Sequence, residues 1–326
     1  MKWYKKGLIG LSVAALLLSV SPFTTVVTAY TKEVSLANVD KQIISVVNQT
    51  IKELVPNHNL EPVAVSEYKN DFGVQIIEFE LSDESSRVLV NKKSKQLISA
   101  YIPFTGEEVD PAIMENVLDQ LKRYDSELEF ELSHATRLKE VEDKRDEWIF
   151  YDKKSYANHL VMDNKTGNLI EVQTDYRISK LNPKLVQVAK KALVDMKGKS
   201  GAVKHVERHT AKRYNYDFFT ITFANGNRVK VDGRTHKVYV VYLKEKDKGS
   251  ASTSFTSAKV KKTATPLVKK LFNIDLKDYT VPKPIYAYAF KKGSKPTISH
   301  PEVGGYINDK GEFYQFWIDT GEAIFN

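Results

Sequence analysis

No cysteine occurs anywhere in the 326-residue chain. That absence excludes disulfides, thiolate metal ligands, a cysteine nucleophile and a lipid-modified cysteine anchor. The signatures of common catalytic sites are missing too. No Gly-x-Ser-x-Gly elbow is present. Gly198-Lys199-Ser200 resembles the end of a phosphate-binding loop, but Leu193 stands where the first glycine belongs, and a helical pattern precedes it. His205-Val206-Glu207-Arg208-His209 holds its glutamate one position too late for the helical zinc-protease pattern. On a strand His205, Glu207 and His209 share a face, which is a possible zinc set, yet Lys204, Arg208 and Lys212 beside them disfavour a dication. No cofactor, no metal and no enzymatic activity are therefore expected, with a metallohydrolase as the third alternative.

What is present begins with a secretory signal. Lys2, Lys5 and Lys6 precede an apolar run from Gly7 to Val20, and Pro22 then leads to Val27-Thr28-Ala29. Small residues at the last and third-last positions suit signal peptidase, and the run is shorter than the ~20 residues that span a bilayer. Cleavage after Ala29 is expected. No second apolar span or sorting tail follows, so a secreted or cell-wall-associated protein without a membrane span is expected. Lacking disulfides, it must rest on its hydrophobic core, for which a 42% apolar fraction is ordinary.

A polar turn between apolar stretches recurs along the rest of the chain. Val90 to Ile98, Met162 to Ile170, Val231 to Tyr239 and Ile307 to Phe313 align at Lys95, Gly167, His236 and Gly311, in steps of 72, 69 and 75. Amphipathic stripes share this period. Ile43, Val47, Thr50, Ile51 and Leu54 form the first, and Ile113, Val117, Leu118 and Leu121 the second. Leu185, Val188, Ala189, Ala192, Leu193 and Met196 form the third. Asp110-Pro111 and Asn182-Pro183 are cap-plus-proline starts, and Gly198 is a candidate C-terminal cap. The fourth helix must start at Pro266, with Thr265 as cap, or kink there. Asn225-Gly226 marks a two-residue hairpin.

The expected fold is α+β, a tandem array of four small repeats, each one helix packed on an antiparallel meander. After the signal peptide (1–29), repeats at 30–105, 106–178 and 179–247 precede a linker at 248–257 and a repeat at 258–326.

Asp146-Glu147-Trp148-Ile149-Phe150-Tyr151, followed by His159 to Ile170, resembles a PepSY-like domain. The match is carried by Trp148, Val161, Asp163, Thr166 and Gly167, and the other three repeats depart from it at Ser94-Lys95, Thr235-His236 and Lys310-Gly311. The resemblance implies a non-catalytic helix-plus-sheet module of exported bacterial proteins, one that restrains a protease or binds at the envelope.

Charge is unevenly spread. Residues 30–176 hold 17 Lys+Arg and 28 Asp+Glu, whereas residues 177–273 hold 23 and 6. The basic stretch suits an anionic polymer such as teichoic acid, or a charged protein partner. Nucleic acid is not expected for an exported chain. Lys204, Arg208, Lys212, Arg228 and Lys230 are the candidate contacts, projecting from strands of the third repeat. Lys190, Lys191, Lys197 and Lys199 read as complements to a helix dipole. The favoured function is binding of an extracellular protein, with restraint of a protease as one form of it. Polymer binding is the alternative.

Overall fold

The computed structural model describes residues 32–70, 72–126, 128–247, 251–284 and 286–321. The expected signal peptide lies outside these residues, as do 248–250 of the expected linker and the apolar ending Ala323-Ile324-Phe325-Asn326. The chain divides between Ile170 and Glu171 into two compact units.

Unit 1 runs β1 (Lys32–Glu33), α1 (Lys41–Leu54), β2 (Pro62–Lys69), β3 (Gln75–Leu81), β4 (Arg87–Asn91) and β5 (Leu97–Thr105). It continues through α2 (Pro111–Tyr124), β6 (Leu132–Glu140), β7 (Arg145–Asp152), β8 (His159–Asp163) and the first residues of β9 (Leu169–Asp175). Helix α1 begins where the Asp40 side chain accepts a hydrogen bond from the Gln42 amide. Its buried residues are the expected stripe of Ile43, Val47, Thr50, Ile51 and Leu54, set against β4 and β5. Ile43, Ile44, Val46, Val47, Thr50 and Ile51 are β-branched and form helix poorly, so packing rather than propensity holds α1. Each buried aliphatic side chain is worth about 1.5–3 kcal/mol.

Helix α2 starts at the expected Asp110 cap, with Pro111 in its first turn, and buries Val117 and Leu121. Ile113 and Leu118 are half-buried. Its polar face grips a turn: the Asn116 and Gln120 amides donate to the Gly167 carbonyl at 2.9 and 2.7 Å, and Gln120 accepts from the Leu169 N–H at 2.7 Å.

That turn belongs to a set of four with one chemistry. Lys95, Gly167, His236 and Gly311, the aligned positions, all adopt positive φ, at 57°, 65°, 58° and 80°. Four residues earlier, or three in the last turn, stands Asn91, Asp163, Asp232 or Asn308, whose carbonyl accepts from the left-handed residue's N–H. The same side chain's oxygen accepts amides inside the turn, as Asp163 does from Thr166 at 2.8 Å and Asp232 from Thr235 at 2.6 Å. Short polar side chains thus stand in for missing strand partners. A left-handed residue bearing a Cβ costs about 1–2 kcal/mol. Gly167→Ala is therefore expected to lower unfolding free energy by about 1 kcal/mol in a denaturant titration. An unchanged midpoint would refute this account of the turn.

Unit 2 takes the rest of β9, then α3 (Pro183–Asp195), β10 (Val203–Ala211), β11 (Tyr216–Phe223), β12 (Arg228–Asp232) and β13 (Val238–Tyr242). Helix α4 (Ser257–Phe272), β14 (Tyr288–Phe290), β15 (Glu302–Ile307) and β16 (Phe313–Asp319) complete it. Helix α3 lies against β12 and β13, and α4 against β13 and β16. Beneath them one core runs from Leu181 to Ile318 and includes Phe219, Phe223, Val260, Val268, Phe290 and Phe316.

The tandem array of four separate repeats is corrected by this topology. Among the described residues the strands form one antiparallel sheet of 16, in the order β1 through β13, then β16-β15-β14. Within unit 1, β5 pairs with β6 from Ser99↔Glu140 to Thr105↔His134, joining what the sequence divides into first and second repeats. Within unit 2, β13 pairs with β16 at Val240↔Trp317, and the core is shared by α3 and α4. The physical reason is edge pairing. Separate meanders would each expose two rows of unpaired backbone groups, and joining the sheets removes them.

Local expectations change too. Helix α4 starts well before Pro266, capped by Thr256, and carries the proline in its interior, where the Thr265 hydroxyl donates to the Lys261 carbonyl at 2.8 Å. The left-handed residue after α3 is Lys197 rather than Gly198. Gly198 instead permits close packing, because a Cβ there would fall 2.4 Å from Leu243 Cδ2.

Candidate functional site

Unit 2 carries a block of positive charge on its two helices. Helix α3 carries Lys184, Lys190 and Lys191, and α4 carries Lys259, Lys261, Lys262, Lys269 and Lys270, against the single acid Asp195. The apolar residues of each helix point into the core, which forces the lysines outward. Lys191 pairs with Asp195. Lys259 lies 4.3 Å from the centre of the Phe255 ring, and Lys261 donates to the Lys277 and Tyr279 carbonyls at 2.8 and 2.6 Å. The other five, Lys184, Lys190, Lys262, Lys269 and Lys270, are exposed and form no ion pair among the described residues. Unneutralised lysines on adjacent helices make an electropositive surface that attracts polyanions and weakens as salt rises.

The five strand cations singled out from the sequence do not share one face. Arg208 lies on the core-facing side with Val206 and is bound at both nitrogens to Asp217, each at 2.9 Å, while its guanidinium covers Tyr176 and Phe219. Lys204 is exposed on β10, and Lys212 sits in the β10–β11 turn rather than on a strand. Arg228 and Lys230 alternate with the buried Val229 and Val231 and so occupy the opposite face of β12. Arg228 lies 4.8 Å from the Tyr242 ring, and Lys230 lies 4.7 Å from the Phe218 ring.

Lys230 is the most perturbed cation of unit 2. Burial pushes its ammonium down to about 8, against the opposing pull of Glu207 and Glu171. Burial, and next the charge of Glu171, pushes the Tyr216 phenol up. Between pH 8 and its ordinary value of 10.5, Lys230 binds fewer protons in the folded chain than in the unfolded one. Stability therefore rises with pH across that window. Relative to the Lys230→Met variant, the native protein is expected to gain about 1–3 kcal/mol on going from pH 7.5 to 10.5. Parallel stability curves for the two proteins would contradict the assignment.

His205, Glu207 and His209 do share a face of β10, but their side chains turn to different partners. His205 Nε2 lies 3.2 Å from Glu207 and 3.3 Å from Asp175. His209 Nε2 lies 2.7 Å from Glu171 and 3.0 Å from the Tyr216 hydroxyl. The cross-strand pairs thus divide the two imidazoles between two carboxylate neighbourhoods. His236 takes the left-handed turn position described above.

Reasoning from the sequence missed the five lysines of α4. Their signal was a helical stretch of 16 residues with no acid at all, hidden by the proline inside it. Comparison of the chain with family models, with curated proteins and with solved structures returns no match. Among the described residues no helix is long and apolar enough to cross a membrane.

Proposed function

We propose that this chain is a non-enzymatic binding protein of the cell envelope, and that the lysine layer of unit 2 docks an anionic wall polymer of the teichoic-acid kind. The export expected from residues 1–29 supplies the compartment. The observation that carries the reading is the charge of α3 and α4: eight lysines against one aspartate, five of them without an ion pair, ring or carbonyl contact among the described residues. Each lysine close to an anionic surface contributes about 1 kcal/mol, and several together give binding that salt erodes. Flexible lysine ammoniums, in contrast to a rigid bidentate site, suit a repeating phosphate chain of variable conformation.

The test is retention of the mature protein on purified cell walls over a range of salt. Strong retention at low salt, falling steeply as salt rises and vanishing when teichoic acid is stripped, is the expected result. Equal retention on stripped walls would contradict it.

A second reading, restraint of an extracellular protease, draws on the resemblance at Trp148, Val161, Asp163, Thr166 and Gly167. Asp163, Thr166 and Gly167 build a turn, and Trp148 and Val161 are buried. Adding the purified protein to secreted proteases checks it. Undiminished proteolysis, with no protease held on the immobilised protein, would remove it.

A further inference from the structure

Unit 2 contains a cleft of ≈ 650 Å³ among the C-terminal halves of α3 and α4, the β12–β13 turn and the loop before β15. That volume lies within the range of small-molecule sites. Part of its wall is apolar and aromatic, with Phe272, Ile274 and Tyr279 from the end of α4 and the loop beyond it, and Tyr239 from β13. Ile298, another lining residue, is 68% exposed, an apolar side chain left open to solvent beside the cleft.

The charges around this cleft do not cancel. Asp195 is held by Lys191, and Lys292 by Asp278. Asp275 accepts the Lys277 amide in its own loop. Lys237 and Lys270 come from two different elements, line the cleft together, and form no ion pair among the described residues. His236 and His300 also line the cleft.

We infer that this cleft binds a small organic anion with a flat apolar body. The anionic group sits between Lys237 and Lys270, and the body lies against Phe272, Ile274, Tyr239 and Tyr279. Apart from Lys270, which the two share, this site is separate from polymer docking, whose lysines Lys184, Lys190, Lys262 and Lys269 do not line the cleft.

Titration of the mature protein with 8-anilinonaphthalene-1-sulfonate, followed by its fluorescence, tests the inference, with the uncharged N-phenyl-1-naphthylamine as control. Saturable one-to-one binding of the sulfonate is expected. The double variant Lys237→Gln/Lys270→Gln, altered at exposed positions, should weaken the sulfonate roughly ten- to a hundredfold and leave the uncharged probe within about twofold. Lys184→Gln/Lys262→Gln should leave the sulfonate unaffected. Absence of saturable binding, or equal loss of both probes in the Lys237/Lys270 variant, would overturn the inference. Wall retention is read separately, so neither proposal falls with the other.

Discussion

Reversing four lysines of the helical layer, by Lys184→Glu, Lys190→Glu, Lys262→Glu and Lys269→Glu together, is expected to abolish retention on teichoic-acid-bearing walls. All four are exposed and unpaired among the described residues, so no ion pair of the fold is lost. Removing four favourable contacts costs about 4 kcal/mol near an anionic surface, close to a thousandfold in affinity, and the added carboxylates repel the polymer as well. Circular dichroism and the melting temperature should stay near those of the native protein, because exposed substitutions usually shift stability by no more than about 0.5 kcal/mol. A smaller reversal in unit 1, Lys153→Glu/Lys154→Glu, removes two lysines already paired to Glu131 and Glu129 and should leave retention intact. If both variants lose retention equally, net charge rather than the helical layer governs binding.

Phe316→Ala should destabilise unit 2 by about 3–5 kcal/mol, the usual cost of emptying a buried aromatic site. Phe316 is fully buried on β16, opposite Val241 of β13 and Gly305 of β15, and its ring stacks on Phe313 at 4.3 Å. The location of the loss matters more than its size. Since α3 and α4 share one core, hydrogen exchange should lose protection in both helices together. Loss confined to residues 257–321 would mean that the last segment folds as an independent module, and the single-core account of unit 2 would fail.

The parts of this architecture legible in the sequence are the local ones. The four left-handed turns could be read because an Asn or Asp and its turn amides lie within a few residues of each other. The stripes of α1, α2 and α3 could be read because burial follows the helical period. Edge pairing could not, because β5 meeting β6 and β13 meeting β16 depends on segments tens of residues apart. Two strands also escaped. β2 lacks clean alternation of buried and exposed positions, and β15 is weakened as a strand signal by Gly304-Gly305. Those glycines are needed for packing. The Trp317 indole lies over Gly304, where a Cβ would fall 2.0 Å from its Cε2 atom.

The candidate site divides in the same way. Alternation correctly separates Arg228 and Lys230 from their core-facing neighbours, but the Asp217 that neutralises Arg208 lies on the next strand, beyond what spacing can reveal. The α4 lysines were obscured because Pro266 looks like a helix boundary. In the folded chain the helix continues through it, with Val260, Ala264, Val268 and Leu271 buried beneath.

Amine acylation of the mature protein, mapped lysine by lysine with and without purified teichoic acid, probes polymer docking most directly. Protection of Lys184, Lys190, Lys262 and Lys269, with Lys153 and Lys154 labelled equally in both states, is the predicted pattern. Uniform labelling across all six, or protection confined to Lys153 and Lys154, would contradict it.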